Sequence, residues 1–480
     1  MSKRWRPLIA VTAACALSLV VGCANMLGNN RAREAKNDVP QSFGPLATGS
    51  GPSVAAQKKW DQFFTDPNLR KLIEEALKNN QQLNIQLQDI IITQNNVAAI
   101  RGEYIPRLDA GVGAGVDKIG KYTSQGASDA AHGVPNPLPD LRFGLVASWE
   151  TDMASRLRSA RKAANLRYEA TIQERNFLMT EIVAEIARSY YDLVALDIQI
   201  EILDRTIGLQ TNALEVVKLK KIAARDTELG VQRFQAEVLK NQGKRFTLDQ
   251  QRIIVENRIN FLIGRFPQRV ARSSGNFMSA NPADVATGLP SDLLENRPDV
   301  KAAELQLEAA KFDTKSAKAR FYPSLRLDAG VGFESFNARH LIDTPQSLVA
   351  NLAGNLMAPL LNRAAIKADY RSANARQIQA VFDYERTILQ AYTDVYNQMT
   401  AISNLRQRFE QLSRQVAALQ AAIEVSKALY QSAMADYNEV LMTTRDSLEA
   451  EMELVEAKKA QLQAVVSIYQ ALGGGWRQTP

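Results

Sequence analysis

Apolar residues recur every seventh position along two stretches of this chain, each more than forty residues long. The first seam runs through Ile172, Met179, Ile186, Leu193, Ile200, Ile207 and Leu214. The second runs through Val381, Ile388, Val395, Ile402, Phe409, Val416, Ile423 and Tyr430, with Leu405, Leu412 and Leu419 between. The two sets match position by position at an offset of 209 residues. A sustained seven-residue period predicts helices that pack with a left-handed supercoil. A helix from about Asp152 to Arg225 would be roughly 110 Å long at the α-helical rise. No compact core needs such a length; a structure bridging a wide gap does.

The duplication extends beyond the helices. LDAGVG occurs at Leu108–Gly113 and again at Leu327–Gly332, 219 residues later, each time shortly after a proline. Most of the chain therefore reads as two tandem versions of one plan. Each version has a helix ending near the proline, two alternating segments, a very long helix, a break and a return helix. In the first alternating segment Leu108, Ala110, Val112, Ala114 and Val116 oppose Asp109, Gly111, Gly113, Gly115 and Asp117. Leu141, Phe143, Leu145, Ala147 and Trp149 then oppose Arg142, Gly144, Val146, Ser148 and Glu150. In the second version Leu325, Leu327, Ala329, Val331 and Phe333 oppose Arg326, Asp328, Gly330, Gly332 and Glu334. A weaker fourth segment sets Leu348, Ala350, Leu352 and Leu356 against Asn351 and Asn355. Period two over about ten residues predicts strands with one apolar face, long enough to cross a bilayer. Return helices are predicted over about Thr227–Gly264 and Tyr437–Leu472, and a half-length helix over about Asp66–Gly102. Its second-version counterpart starts at Arg297-Pro298 and ends before Pro323, shorter than two equal copies require.

Residues 1–23, MSKRWRPLIAVTAACALSLVVGC, place a basic start before an apolar run too short for a typical spanning helix. Val20-Val21-Gly22-Cys23 resembles a bacterial lipobox, in which cleavage precedes a cysteine that then carries the lipid. Ala24 follows it rather than Asp, which by resemblance to enterobacterial sorting favours the outer membrane. Residues 24–57, rich in Asn, Gly, Pro and Ser, read as an extended tether. No later segment offers about twenty consecutive apolar residues, so strands must make any further crossing. Four strands cannot close a barrel, and an open edge in lipid leaves backbone groups unpaired. Several chains must then share one barrel. Two would give eight strands with a side-chain-filled interior, and three would give twelve with room for a channel.

The formal net charge of +7 falls to about +4 once Lys3, Arg4 and Arg6 are removed with the signal segment. Acidic and basic residues are interspersed, which speaks against a nucleic-acid partner. The two cysteines and two histidines, Cys15, Cys23, His132 and His340, form no cluster with metal-ligand spacing. No nucleophile–base constellation stands out, so no catalytic residue, metal or cofactor is expected beyond the covalent lipid on Cys23.

Residues 289–323, LPSDLLENRPDVKAAELQLEAAKFDTKSAKARFYP, and YQALGGGW at Tyr469–Trp476 closely resemble the outer-membrane lipoproteins of resistance-nodulation-division (RND) efflux systems, the NodT branch of the TolC family. INFLIGRFP at Ile259–Pro267 and WETDMASRL at Trp149–Leu157 extend the likeness over nearly the whole mature chain. The resemblance implies an α+β membrane protein: a trimeric 12-stranded β-barrel, four strands per chain, continued by a long α-helical coiled-coil periplasmic tunnel. It implies a passive exit duct of a tripartite pump. The partners would be two further copies of the chain, a periplasmic adaptor (membrane fusion) protein, an inner-membrane RND transporter and outer-membrane lipid. The competing readings are a type I secretion channel and a non-conducting periplasm-spanning lipoprotein strut. The chain divides into a signal segment 1–22, a tether 23–65, a first efflux repeat 66–264, a linker 265–290, a second repeat 291–472 and a tail 473–480. Acidic residues ring the closed aperture in family channels, which marks Asp436 and Asp226 as its counterparts here; the plainer reading makes each a helix cap. Asp109, Arg142, Arg326 and Asp328 are expected to line the lumen. The chain departs from the family at both hairpin turns, IAARDTELG and SAMADYNEV, where alanine replaces glycine. It also has Ala154-Ser155 where the strand-to-helix junction usually has Phe-Gly.

Overall fold

The computed structural model describes residues 32–44, 57–224, 226–280, 287–432, 434–435 and 437–477. Cys23, Asp436 and the segment 1–22 lie outside the described residues. The elements run α1 (Trp60–Phe63), α2 (Pro67–Asn79), α3 (Gln81–Glu103), β1 (Arg107–Asp117), α4 (Ser124–Ala131), β2 (Leu138–Thr151), α5 (Arg156–Ile222) and α6 (Glu228–Ile263). They continue with α7 (Asp292–Asn296), α8 (Pro298–Ala319), β3 (Ser324–Ser335), β4 (Leu348–Met357), α9 (Ala364–Gln431) and α10 (Tyr437–Ala471). A 3₁₀ turn at Ala338–His340 lies between β3 and β4. The long helices α5 and α9 have 67 and 68 residues, about 100 Å each at the helical rise. All the heptad positions named above are buried or half-buried.

The helix expected over Asp66–Gly102 is two helices. Asp66 caps α2, accepting from the amides of Asn68 and Leu69 at 2.8 and 3.3 Å, with Pro67 at the first helical position. Asn80 then leaves helical space at φ −62°, ψ 124°. Its amide group donates to the Leu262 carbonyl at 2.7 Å, and its side-chain oxygen accepts from the Leu83 amide at 3.0 Å. One buried side chain thus ends α2 and starts α3. The second half breaks in the same way at Arg297, extended at φ −85°, ψ 117°, where Pro298 disfavours the helical region for the residue before it. Past the two breaks the helices have 23 and 22 residues; before them, 13 and 5. Of the shortfall in the second half, eight residues (13 − 5) lie ahead of its break and one (23 − 22) past it.

The residues cluster into two units. The first comprises Met1–Ala35, Ile90–Ala170 and Glu304–Asp383, and holds the sheet. Its four strands form an antiparallel meander in the order β1-β2-β3-β4. The register brings Val112, Phe143, Phe333 and Leu348 into one row across all four strands, with the Phe143 and Phe333 rings stacked at 5.3 Å. This apolar face is uncovered within the chain: Val112 is 90% exposed and Leu352 82%. Strands β1 and β4 each pair on one side only, leaving two open edges.

The second unit comprises Lys36–Asp89, Thr171–Ala303 and Tyr384–Pro480. Its core joins Leu69 and Ile73 of α2, Met179, Ile186, Tyr190 and Leu193 of α5, Ile259 and Ile263 of α6, and Val466 and Tyr469 of α10. No described helix is long and apolar enough to cross a membrane.

Candidate functional site

The polar face of the sheet gathers the four residues expected to line the lumen. Odd positions of β1 and even positions of β2 and β3 share that face, so Asp109, Arg142, Arg326 and Asp328 all lie on it. Each LDAGVG aspartate is paired with the arginine two residues before it: Arg107–Asp109 at 2.8 Å and Arg326–Asp328 at 2.9 Å. Asn355 of β4 also donates to Asp328, at 3.3 Å. Residues two apart on a strand share a face, so this pairing is local and legible in the sequence. Arg142 lies across Gly113: a Cβ built there would stand 2.9 Å from the guanidinium Nε. The glycine is thus a seat for the arginine side chain. A recess of about 600 Å³ on the sheet is lined by Gly111, Gly113, Arg142, Gly144, Gly332 and Asn351, among others.

At each strand-to-helix junction one non-glycine residue holds a positive φ, Ser155 at 60° and Asn362 at 50°. Ser155 is the position where the family resemblance expects glycine. Asp152 organises this junction. Its carboxylate accepts from the Leu157 amide at 2.9 Å, the Arg158 amide at 3.0 Å and the Arg158 Nε at 3.0 Å. Burial alone would raise its pKa, but the two amides and the guanidinium hold it below the ordinary aspartate value.

The hairpin ends of the second unit meet one another. Tyr437 packs against Tyr430 at 4.4 Å and against Phe234 at 4.5 Å. Lys220 Nζ stands 3.5 Å over the Tyr430 ring, and Arg233 donates to Asn438 at 3.2 Å. Burial, with Tyr430 and Asp226 nearby, pushes the Tyr437 hydroxyl above its usual pKa. Asp226 accepts from the Thr227 amide at 2.7 Å. The N-cap of α6 is Thr227, whose side chain accepts from the Gly230 amide at 3.2 Å, so the capping role falls to Thr227 and not to Asp226. The first turn also shows where its missing glycine belongs. Ala224 stands just past the end of α5 with φ 55°, the position where helices favour glycine.

Both histidines lie between paired strands: His132 Nδ1 is 2.8 Å from the Ser128 carbonyl, and His340 Nδ1 is 2.7 Å from Asp343. Among the described residues no His, Cys, Asp and Glu group could hold a metal ion.

Sequence reasoning passed over a buried junction in the second unit. Arg297, 5% exposed, donates to Asp299 at 3.0 and 2.6 Å, to Asp394 at 3.2 Å and to the carbonyl of Ala471, the last residue of α10, at 3.0 Å. Beside it, Trp476 and Arg477 donate to Asn296 at 3.4 and 2.6 Å. Gly473, at φ 85°, packs so closely on the Asn296 carbonyl that a Cβ would collide with it. LLENRPDV and YQALGGGW, which each resemble one family, are thus two halves of one contact. The signal available was an arginine before a proline paired with a distant glycine run.

Open-edged strands with an uncovered apolar face, charged pairs on the opposite face and long heptad helices define the class: an outer-membrane protein built of strands and helices. Residues 72–265 and 289–474 match the family model described as outer membrane efflux protein, and the chain belongs to that family. It is similar to the pyoverdine export outer membrane protein OpmQ of Pseudomonas aeruginosa, with 28% identity over 96% of this chain and 97% of that protein. It is also similar to the cation efflux system protein CusC of Escherichia coli O6:H1, with 25% identity over 97% and 98%. Among solved structures, the open state of the Neisseria gonorrhoeae MtrE outer membrane channel superposes with TM-score 0.83. The identity is 25%, over 93% of this chain and 98% of that one. The chain is an efflux protein of the bacterial outer membrane.

Proposed function

We propose that three copies of this chain close a 12-stranded barrel and form the passive exit duct of a tripartite RND-type pump. The observation that carries this reading is the four-stranded sheet with two open edges and a bare apolar face. In hydrocarbon each unpaired backbone group costs several kcal/mol. Pairing β4 of one copy with β1 of the next removes both edges, and twelve strands leave a lumen where eight would be filled. The polar face then lines that lumen, so Asp109, Arg142, Arg326 and Asp328 meet the exported compound and its counter-ions. The two halves, with their shared element order, are tandem repeats, and their long helices form the periplasmic tunnel. An adaptor and an inner-membrane transporter supply coupling and energy, and a lipid on Cys23 anchors the chain.

The relatives' names span pyoverdine and cations, which supports a broad duct with selection made upstream. Asp436 and Asp226, at the hairpin ends, are assigned to the periplasmic aperture. Planar-bilayer recording, with light scattering of the detergent-solubilised protein, tests the proposal. A three-chain mass and steady ion conductance are expected; a one-chain mass, or no conductance, overturns it. Within a conducting channel, Asp436→Ala should shift the reversal potential in a salt gradient toward weaker cation selectivity. An unchanged potential removes Asp436 from the aperture.

A further inference from the structure

Arg33 and Glu34, ahead of α1, lie on one side of two helices of the first unit. Arg33 stands 5.1 Å over the Phe382 ring of α9, and Glu34 accepts from Lys311 of α8 at 3.1 Å. Consecutive residues of one segment touch both helices, so Lys311 and Phe382 share that side. Helical spacing shows what else lies on it. On α8, Lys315 and Lys318 follow Lys311 by four and seven residues, the intervals that keep side chains on one face. On α9, Arg371 and Lys367 precede Phe382 by eleven and fifteen residues, close to three and four whole turns. The helix carboxylates nearest them are engaged elsewhere: Asp313 pairs with Arg167, and Asp369 with Arg320 at 2.6 Å. Lys315 stands 4.5 Å over the Phe312 ring. Among the described residues Lys318, Lys367 and Arg371 have no carboxylate partner. Lys318 precedes the first residue of β3, Ser324, by six residues, so these cations stand where the helices approach the strands.

We propose that Lys315, Lys318, Lys367 and Arg371 form a stripe that binds the phosphate headgroups of anionic phospholipids in the periplasmic leaflet of the outer membrane. The choice of side rests on the acylation of Cys23 proposed above. Arg33 is ten residue steps beyond Cys23, a reach of at most about 35 Å when fully extended. The segment docked on Lys311 is thus tied to a lipid, and the side it covers faces the bilayer surface. A cation beside an anionic leaflet gains attraction that fades over a Debye length. Four cations with no competing carboxylate between them and the strands suit that surface. The aspartates, by contrast, are held with Arg167 and Arg320 in a separate recess of about 490 Å³.

The test uses the full-length protein in neutral detergent, exchanged against an equimolar mixture of phosphatidylglycerol and phosphatidylcholine. Retained lipid is counted by native mass spectrometry. The intact protein should retain phosphatidylglycerol in preference, and the preference should fall as salt is raised. K315Q/K318Q/R371Q should cut it by roughly tenfold or more, each lost cation counting severalfold, with an unchanged helical melting curve. An unchanged lipid ratio, or an equal loss of both lipids, overturns the proposal. A Cys23→Ser protein run in parallel separates the two readings. If intact mass shows that Cys23 carries no lipid, the anchor fails alone. If the unacylated protein still prefers phosphatidylglycerol and the triple variant removes that preference, the stripe stands without it.

Discussion

Arg297 offers the sharpest test of what holds the second unit together. Burial works against its charge, yet the carboxylates of Asp299 and Asp394 raise its pKa above the ordinary arginine value. Arg297→Ala would remove the guanidinium from Asp299, from the Ala471 carbonyl and from Asp394, which keeps Gln390, at 2.6 Å, as a side-chain donor. Breaking a buried pair from one side costs about 3–5 kcal/mol, chiefly because the remaining charge stays desolvated. Asp394 is about one-third exposed, so water relieves part of that penalty, and the lower half of the range is expected. Arg297→Lys keeps the charge but loses the planar fork that spans Asp299 and Ala471, and should fall between the two. Denaturant unfolding of the solubilised protein, followed by circular dichroism and by Trp476 fluorescence, measures the loss. Trp476 donates to Asn296, the residue before Arg297, so with Trp60 and Trp149 replaced by Phe the emission reports on this contact. Arg297→Ala and Asp394→Asn should combine less than additively, since they remove parts of one interaction. A cost below about 1 kcal/mol for Arg297→Ala, or strict additivity of the two changes, would refute the claim that this arginine fastens α8, α9 and α10.

Ala224→Gly relieves a side chain held at φ 55° and should stabilise the protein by about 0.5–1 kcal/mol net of glycine's greater unfolded entropy; a lowered denaturant midpoint would contradict this. Asp152 has a depressed native pKa, so its contribution is present above the unfolded-state value and lost as pH falls through the native one. Asp152→Asn should therefore lower stability by about 1 kcal/mol at neutral pH and flatten the acid limb of the stability curve; an unchanged acid limb would show that Asp152 does not couple to folding. Thr227→Ala should cost about 1 kcal/mol in thermal melting and Asp226→Ala clearly less, because Thr227 is the cap. Cys23→Ser should abolish labelling by radioactive palmitate, and persistent labelling would place the lipid elsewhere.

The periodic features of the chain are legible in the sequence alone. A two-residue alternation locates all four strands, because a strand with one bare face must repeat it at every second residue. The seven-residue seam marks the middles of α5 and α9, and the expected span of about Asp152 to Arg225 ends within four residues of each end of α5 (Arg156–Ile222). The misjudged elements depend on partners far along the chain. Asn80 breaks a helix through the carbonyl of Leu262, 182 residues away, and no local pattern announces that contact. Arg297 resembles a surface arginine until Ala471 and Asp394 enclose it. Asp226 and Thr227 are neighbours and both suit a helix cap; only the hydrogen bond from the Gly230 amide to Thr227 separates them. The polar-face residues were the easiest of the candidate sites, since parity on a strand assigns them to one side without any tertiary knowledge.

The two open edges of the sheet belong to different strands, one at each end of the meander. In the three-copy barrel proposed above, a chain damaged at β1 would still present a sound β4, and would recruit a healthy neighbour on that side while offering nothing on the other. Such a chain would not merely be lost from the population; it would terminate growing rings and withdraw sound copies with it. Inheritance of edge defects in this protein should then be dominant, whereas defects confined to the polar face, which leave pairing intact, should behave as recessive.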